Sequence, residues 1–247
     1  EGTKPFLKKK GIFNKARCLT LAGRHAASIK AINEFTNIYS DDQRNPALRF
    51  DIYKIERINL KNQAAALRAL EVIILKDKIG APRIYSEALH QKALLLQLTD
   101  NAQGSIKAWE KYLEFNAVTA GPMNSEVKLH MAAAYQNIDK ADVAVGIYFN
   151  LCASEYPGIA ETALTNLLRL NADAQRLDKL MAALQADPHT EWGPSLLEPI
   201  MKWSSARLLT LPVEEQKKYI LTVNSYLQKI SSAPGKNYWS AWLLCQQ

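Results

Sequence analysis

Glycine and proline are scarce in this chain, ten of each among 247 residues, which leaves too little turn chemistry for a many-stranded β fold. Long apolar runs are missing as well. The longest uncharged stretch in the middle of the chain, Val143 to Ser154, is twelve residues, well short of the roughly 20 that a membrane-spanning helix needs. Three cysteines, Cys18, Cys152 and Cys245, form neither a metal-spaced cluster nor an even disulfide set. The first two fall within apolar helical stretches and read as buried free thiols. The chain starts at Glu1 without a signal-peptide pattern, as expected of a processed product or an excised fragment.

The motifs of catalysis are absent too: there is no Gly-x-Ser-x-Gly elbow, no paired-cysteine zinc pattern and no dinucleotide glycine signature. Glu126 and His130 lie four apart and could orient an imidazole or begin a metal site, but no third ligand accompanies them, and they read as a solvated pair. His189 and Glu191 flank a loop after Pro188 without a mechanism to serve. SSAPGKNY around Lys236 lacks the earlier glycine of a phosphate loop, since Ile230 holds that place, and Asn237 replaces the hydroxyl residue. The sequence nominates no catalytic residue, no metal-ligand set and no cofactor, so the chain reads as a non-enzyme.

The net charge of +7 is carried by the first thirty residues, where eight basic groups meet only Glu1; from residue 31 onward 23 basic residues meet 23 acidic ones. A nucleic-acid face needs cations arrayed over a surface, and the body of the chain offers none. Only the basic arm, residues 1–10 with Lys8, Lys9 and Lys10, has a field able to reach anionic lipid or an acidic partner.

What is present is a repeat. Each unit has a small residue on a first helix, then a polar turn, then a second helix opening on another small residue with a bulky apolar one four positions later. Ala16, Ser28 and Ile32 fill these places in the first unit, Ala93, Ser105 and Trp109 in the third, and Ala132, Ala144 and Tyr148 in the fourth. The second unit supplies Ala66 and Leu70 but has Lys54 where a small residue is wanted, and the fifth has Leu164 and Arg176 at the small sites. The logic is steric, because two helices approach closely only where a side chain is small, and no single hairpin can bury its apolar face alone. Beyond residue 190 the rhythm changes. Four of the five tryptophans, Trp192, Trp203, Trp239 and Trp242, mark residues 191–247 as an aromatic-rich helical cap.

This pattern resembles the tetratricopeptide repeat over residues 11–190, with Pro188 at the hairpin-ending position. The resemblance implies an all-α solenoid of about five hairpins whose first helices line a concave groove that holds a protein or peptide segment. The groove positions it implies are Phe13 and Arg17, then Asp51, Ile55, Ile58 and Asn59, then His90, Leu94 and Gln97, then Leu129, Gln136 and Asn137. That mixture lacks the matched lysine, arginine and asparagine set of carboxylate-clamping grooves, so an apolar or amphipathic segment is expected. EYPGIAETAL, residues 155–164, resembles the Tyr-Pro connection of outer-membrane assembly lipoproteins and the Tol–Pal coordinator. It points to a bacterial periplasmic or envelope complex. The alternative is the accessory superhelix of a cell-wall enzyme such as a lytic transglycosylase.

Overall fold

A proline opens each first helix after the initial one, where its missing N–H costs nothing and its fixed φ suits the helix. In the computed structural model, which describes residues 3–118, 121–152, 154–170, 208–209, 211–217 and 219–221, these prolines are Pro46, Pro82, Pro122 and Pro157. The helices are α1 (Thr3–Leu21), α2 (His25–Ile38), α3 (Asn45–Lys54), α4 (Gln63–Lys76), α5 (Pro82–Leu98), α6 (Ala102–Phe115), α7 (Pro122–Gln136), α8 (Ala141–Cys152) and α9 (Pro157–Arg169). A π turn, Ile55–Asn59, follows α3.

The described residues are all-α. They form four hairpins, α1–α2, α3–α4, α5–α6 and α7–α8, with α9 packed on α8. The chain divides into two compact units, residues 1–119 and 120–247, and each is described by itself. The second half of the fifth hairpin, Arg176 and Pro188 included, lies outside the described residues. So does most of the cap expected over 191–247, where Leu208 and Ile220 are described and are buried.

The small anchors meet as the pattern requires: Ala16, Ser28, Ala66, Ala93, Ser105, Ala132 and Ala144 are all buried, with Ile32, Leu70, Trp109 and Tyr148 filling the gaps beside them. Two hairpins reinforce this contact. Ser28 Oγ donates to the Ala16 carbonyl at 3.1 Å, and Ser105 Oγ to that of Ala93 at 2.9 Å. Each bond satisfies a buried hydroxyl that would otherwise destabilise the interface by about 1–3 kcal/mol.

The second hairpin departs from the expected register, and the π turn is the reason. In the other three, the anchor Ala16, Ala93 or Ala132 stands seven residues before a left-handed residue, Gly23, Asp100 or Asp139. The next N–H, of Arg24, Asn101 or Lys140, then bonds the carbonyl five back. In the second hairpin the left-handed residue is Lys61, and the Asn62 N–H reaches six back, to Glu56. One extra residue has been absorbed, as a π turn does. The residue facing Ala66 is therefore Tyr53, buried with Leu70 and Ile73, while Lys54 points outward. The mismatch at Lys54 was a register error.

Clefts on the second-helix side repeat with the same offset. Arg49, Ile52 and Glu56, in a cleft of about 410 Å³ beside α2 and α4, are matched forty positions on by Leu89, Lys92 and Leu96, in a cleft of about 340 Å³ beside α4 and α6.

The boundary drawn after residue 10 is no break in the backbone, since α1 runs through it. Lys9 ion-pairs with Asp42 at 2.6 Å and lies over the Tyr39 ring. Asp42 also takes two bonds from the Arg44 guanidinium, both 2.8 Å, and Arg44 stacks on Phe13 and Phe35. These hydrogen bonds from Arg44 and Lys9 hold the Asp42 carboxyl far below the usual carboxylate range. Of the cysteines, Cys152 is buried, and desolvation pushes its thiol up to about 12. Cys18, expected inside, is exposed.

Candidate partner-binding surface

First helices alternate buried and outward positions about their anchors, so the outward face follows from the anchor's number. In unit 1 the face begins with Phe13, which is half-buried against Phe35, and Arg17, which is exposed. Arg17 lies over the Phe13 ring at 5.9 Å. One hairpin on, Lys54 lies over Phe50 at 5.1 Å. The two cation–ring pairs have the same four-residue spacing and the same relation to their anchors, Ala16 and Tyr53, which confirms the shifted register independently.

The shift rewrites the second hairpin's contribution. Ile55 is only 3% exposed and packs in the core with Ile32, Phe35 and Leu48. It cannot serve a partner. Phe50, Lys54, Arg57 and Ile58 take the places expected of Asp51, Ile55, Ile58 and Asn59; Ile58, Asp51 and Asn59 remain exposed beside them. Asp51 sits where Lys54 and Arg17 both stabilise its charge, opposing a larger upward push from desolvation. Residues of α1 and α3 therefore share one electrostatic neighbourhood.

On α5, His90, Leu94 and Gln97 are half-buried. His90 rests edge-on against Trp109, with ring centroids 5.1 Å apart. A polar network that sequence reasoning missed ties α5 to the preceding hairpin. Tyr53 Oη donates to Gln91 Oε1 at 2.7 Å, Arg57 donates to the same oxygen at 2.6 Å, and Gln91 Nε2 donates to Glu87 at 2.9 Å. Arg57 also bonds Tyr53 Oη. Burial raises the Tyr53 phenol and Arg57 opposes the rise.

A second missed feature is apolar. Leu21, Ile58 and Leu98 each stand five residues after their anchors, at the turn end of the first helices, and are 85%, 66% and 65% exposed. A single exposed leucine requires no explanation, but the same exposed position in three successive hairpins forms a pattern. The signal was in the sequence. It needed the corrected register to appear.

In unit 2, Leu129 packs partly against the core around Ala144 and Tyr148, Gln136 is half-buried, and Asn137 is exposed. Asn137 holds the place of Leu21, so the apolar row is not continued there. Among the described residues no group of three His, Cys, Asp or Glu side chains could hold a metal, and no helix is long and apolar enough to cross a membrane.

No family model and no curated protein matches this chain. Among solved structures it is similar to a kinesin light chain of Podosopora anserina with nearly identical TPR-like repeats. The identity is 16%, with 81% of this chain and 96% of that chain covered, at a TM-score of 0.49. The fold is read from the hairpins themselves: small anchors, buried bulky partners and one left-handed residue per turn make them TPR-like.

Proposed function

We propose that this chain is a non-catalytic protein-interaction scaffold and that the first-helix face of unit 1 receives the partner. The observation carrying this is the repeated pair of features on that face: an apolar row, Leu21, Ile58 and Leu98, and beside it the cations Arg17, Lys54 and Arg57. An amphipathic helix with regularly spaced apolar residues and acidic residues beside them suits a row of this composition. His90, Leu94 and Gln97 extend the face, and Leu129, Gln136 and Asn137 give unit 2 a similar one. The Tyr-Pro connection at Tyr156 and Pro157 supports an envelope setting in a bacterium.

The test is capture from the native cell by the full chain and by a Leu21→Ser, Ile58→Ser, Leu98→Ser triple variant, with thermal melts of both. All three side chains are exposed, so each substitution should cost within about 0.5 kcal/mol. Loss of the captured partner with a near-unchanged melt is the expected result. Equal capture by the folded triple variant would place binding elsewhere.

A further inference from the structure

Unit 2 contains a cleft of about 430 Å³ between α7 and α9, with Tyr148 of α8 among its lining residues. That volume falls in the range of small-ligand sites. Tyr148 is 1% exposed and its ring belongs to the unit's core, yet its hydroxyl makes no hydrogen bond among the described residues. Its oxygen is not sealed from solvent, so on the wall of the cleft it is available to donate to an acceptor supplied from outside.

Arg169, in the last turn of α9, lines the same cleft and is exposed. Among the described residues it has no carboxylate partner. It lies near enough to Tyr148 to oppose the rise that burial imposes on the phenol. The two groups line one cleft and together offer hydrogen-bond donors and one full positive charge. Glu126 and His130, four apart on α7, are the pair that sequence reading left without a third member, and they line the opposite helix. The charge of Glu126 offsets that of Arg169, which disfavours a multiply charged anion. Leu129 and Ile159 supply apolar wall.

We propose that this cleft binds a monocarboxylate carried on an aliphatic group. The carboxylate oxygens accept from the Arg169 guanidinium and the Tyr148 hydroxyl, and the aliphatic part lies against Leu129 and Ile159. Charge-assisted bonds of this kind are the strong ones, and a planar guanidinium matches a carboxylate better than a point charge does. A free small acid and the carboxyl end of a protein chain present the same chemistry. The site uses none of the unit 1 surface and stands whether or not that surface binds a partner.

Calorimetric titration of the full chain tests it with N-acetyl-leucine, its amide, inorganic phosphate, and a short leucine-ended peptide with a free or an amidated carboxyl end. Saturable binding of N-acetyl-leucine with a Kd of roughly 1 mM or below is expected, with the amide and phosphate weaker by tenfold or more. Tyr148→Phe keeps the ring in the core and should weaken the acid about tenfold. Arg169→Gln, on an exposed side chain, should do the same with an unchanged melt. Tighter binding of the free-ended peptide than of N-acetyl-leucine assigns the site to a chain terminus, and equal binding assigns it to a free acid. The proposal is overturned if the amide binds as well as the acid, if phosphate binds better, if both variants bind normally, or if nothing saturates by about 10 mM.

Discussion

Lys8, Lys9 and Lys10 are neighbours in sequence and differ in what they touch. Lys8 and Lys10 are exposed, whereas Lys9 reaches Asp42 and the Tyr39 ring. The middle lysine is therefore tied to the first hairpin's neighbourhood by contacts that its two neighbours lack. Lys9→Gln should lower stability by about 0.5–1 kcal/mol in urea unfolding, while Lys8→Gln and Lys10→Gln should leave it unchanged. Asp42 gives this contact a pH signature. Its folded pKa is depressed by Arg44 and Lys9, so the stabilisation is fully present above its unfolded value, about 3.9, and is lost as pH falls through the folded value. Asp42→Asn should be less stable than the parent by about 1–2 kcal/mol at pH 7, and the gap should narrow as unfolding is repeated below about pH 4. A constant gap down to pH 2 would show that the carboxylate's charge contributes nothing.

Among the elements, the turns within hairpins repeat most faithfully: Gly23, Lys61, Asp100 and Asp139 all have positive φ. Glycine adopts that conformation without penalty and aspartate tolerates it, but lysine gains nothing there. Lys61→Gly should raise stability by about 0.5–1 kcal/mol in thermal unfolding, and a loss would mean that the Lys61 side chain does something at the turn. The helices themselves were legible because propensity, proline placement and the four-residue anchor spacing agreed. Ala16 with Ser28, Ala93 with Ser105 and Ala132 with Ala144 needed no correction. The π turn left no mark in composition, because an inserted residue changes hydrogen-bond reach and not residue type. Its one trace was the misfit of Lys54, which read as degeneracy because a tyrosine was not expected to fill a small residue's place. Tyr53 does so by extending between α4 and α5, toward Ala88 and Leu95, with its hydroxyl on Gln91.

On the scale of the molecule, one residue of register decides which surface is available to the proposed partner. Phe13, Leu94 and Leu129, expected on the outward face because the anchor fixes their direction, are half-buried. The cleft around Tyr148 was not legible in the sequence, because Arg169 lies on a different hairpin, and only folding brings it to Glu126 and His130. The whole description of the unit 1 face rests on Ile55 pointing inward and Ile58 outward. Urea unfolding of Ile55→Ser and Ile58→Ser compares them directly. Ile55→Ser removes a core side chain and buries a hydroxyl, for a loss of about 2–5 kcal/mol, whereas Ile58→Ser should stay within about 0.5 kcal/mol of the parent. The reverse order, or equal losses, would contradict the shifted register and the proposed binding face built on it.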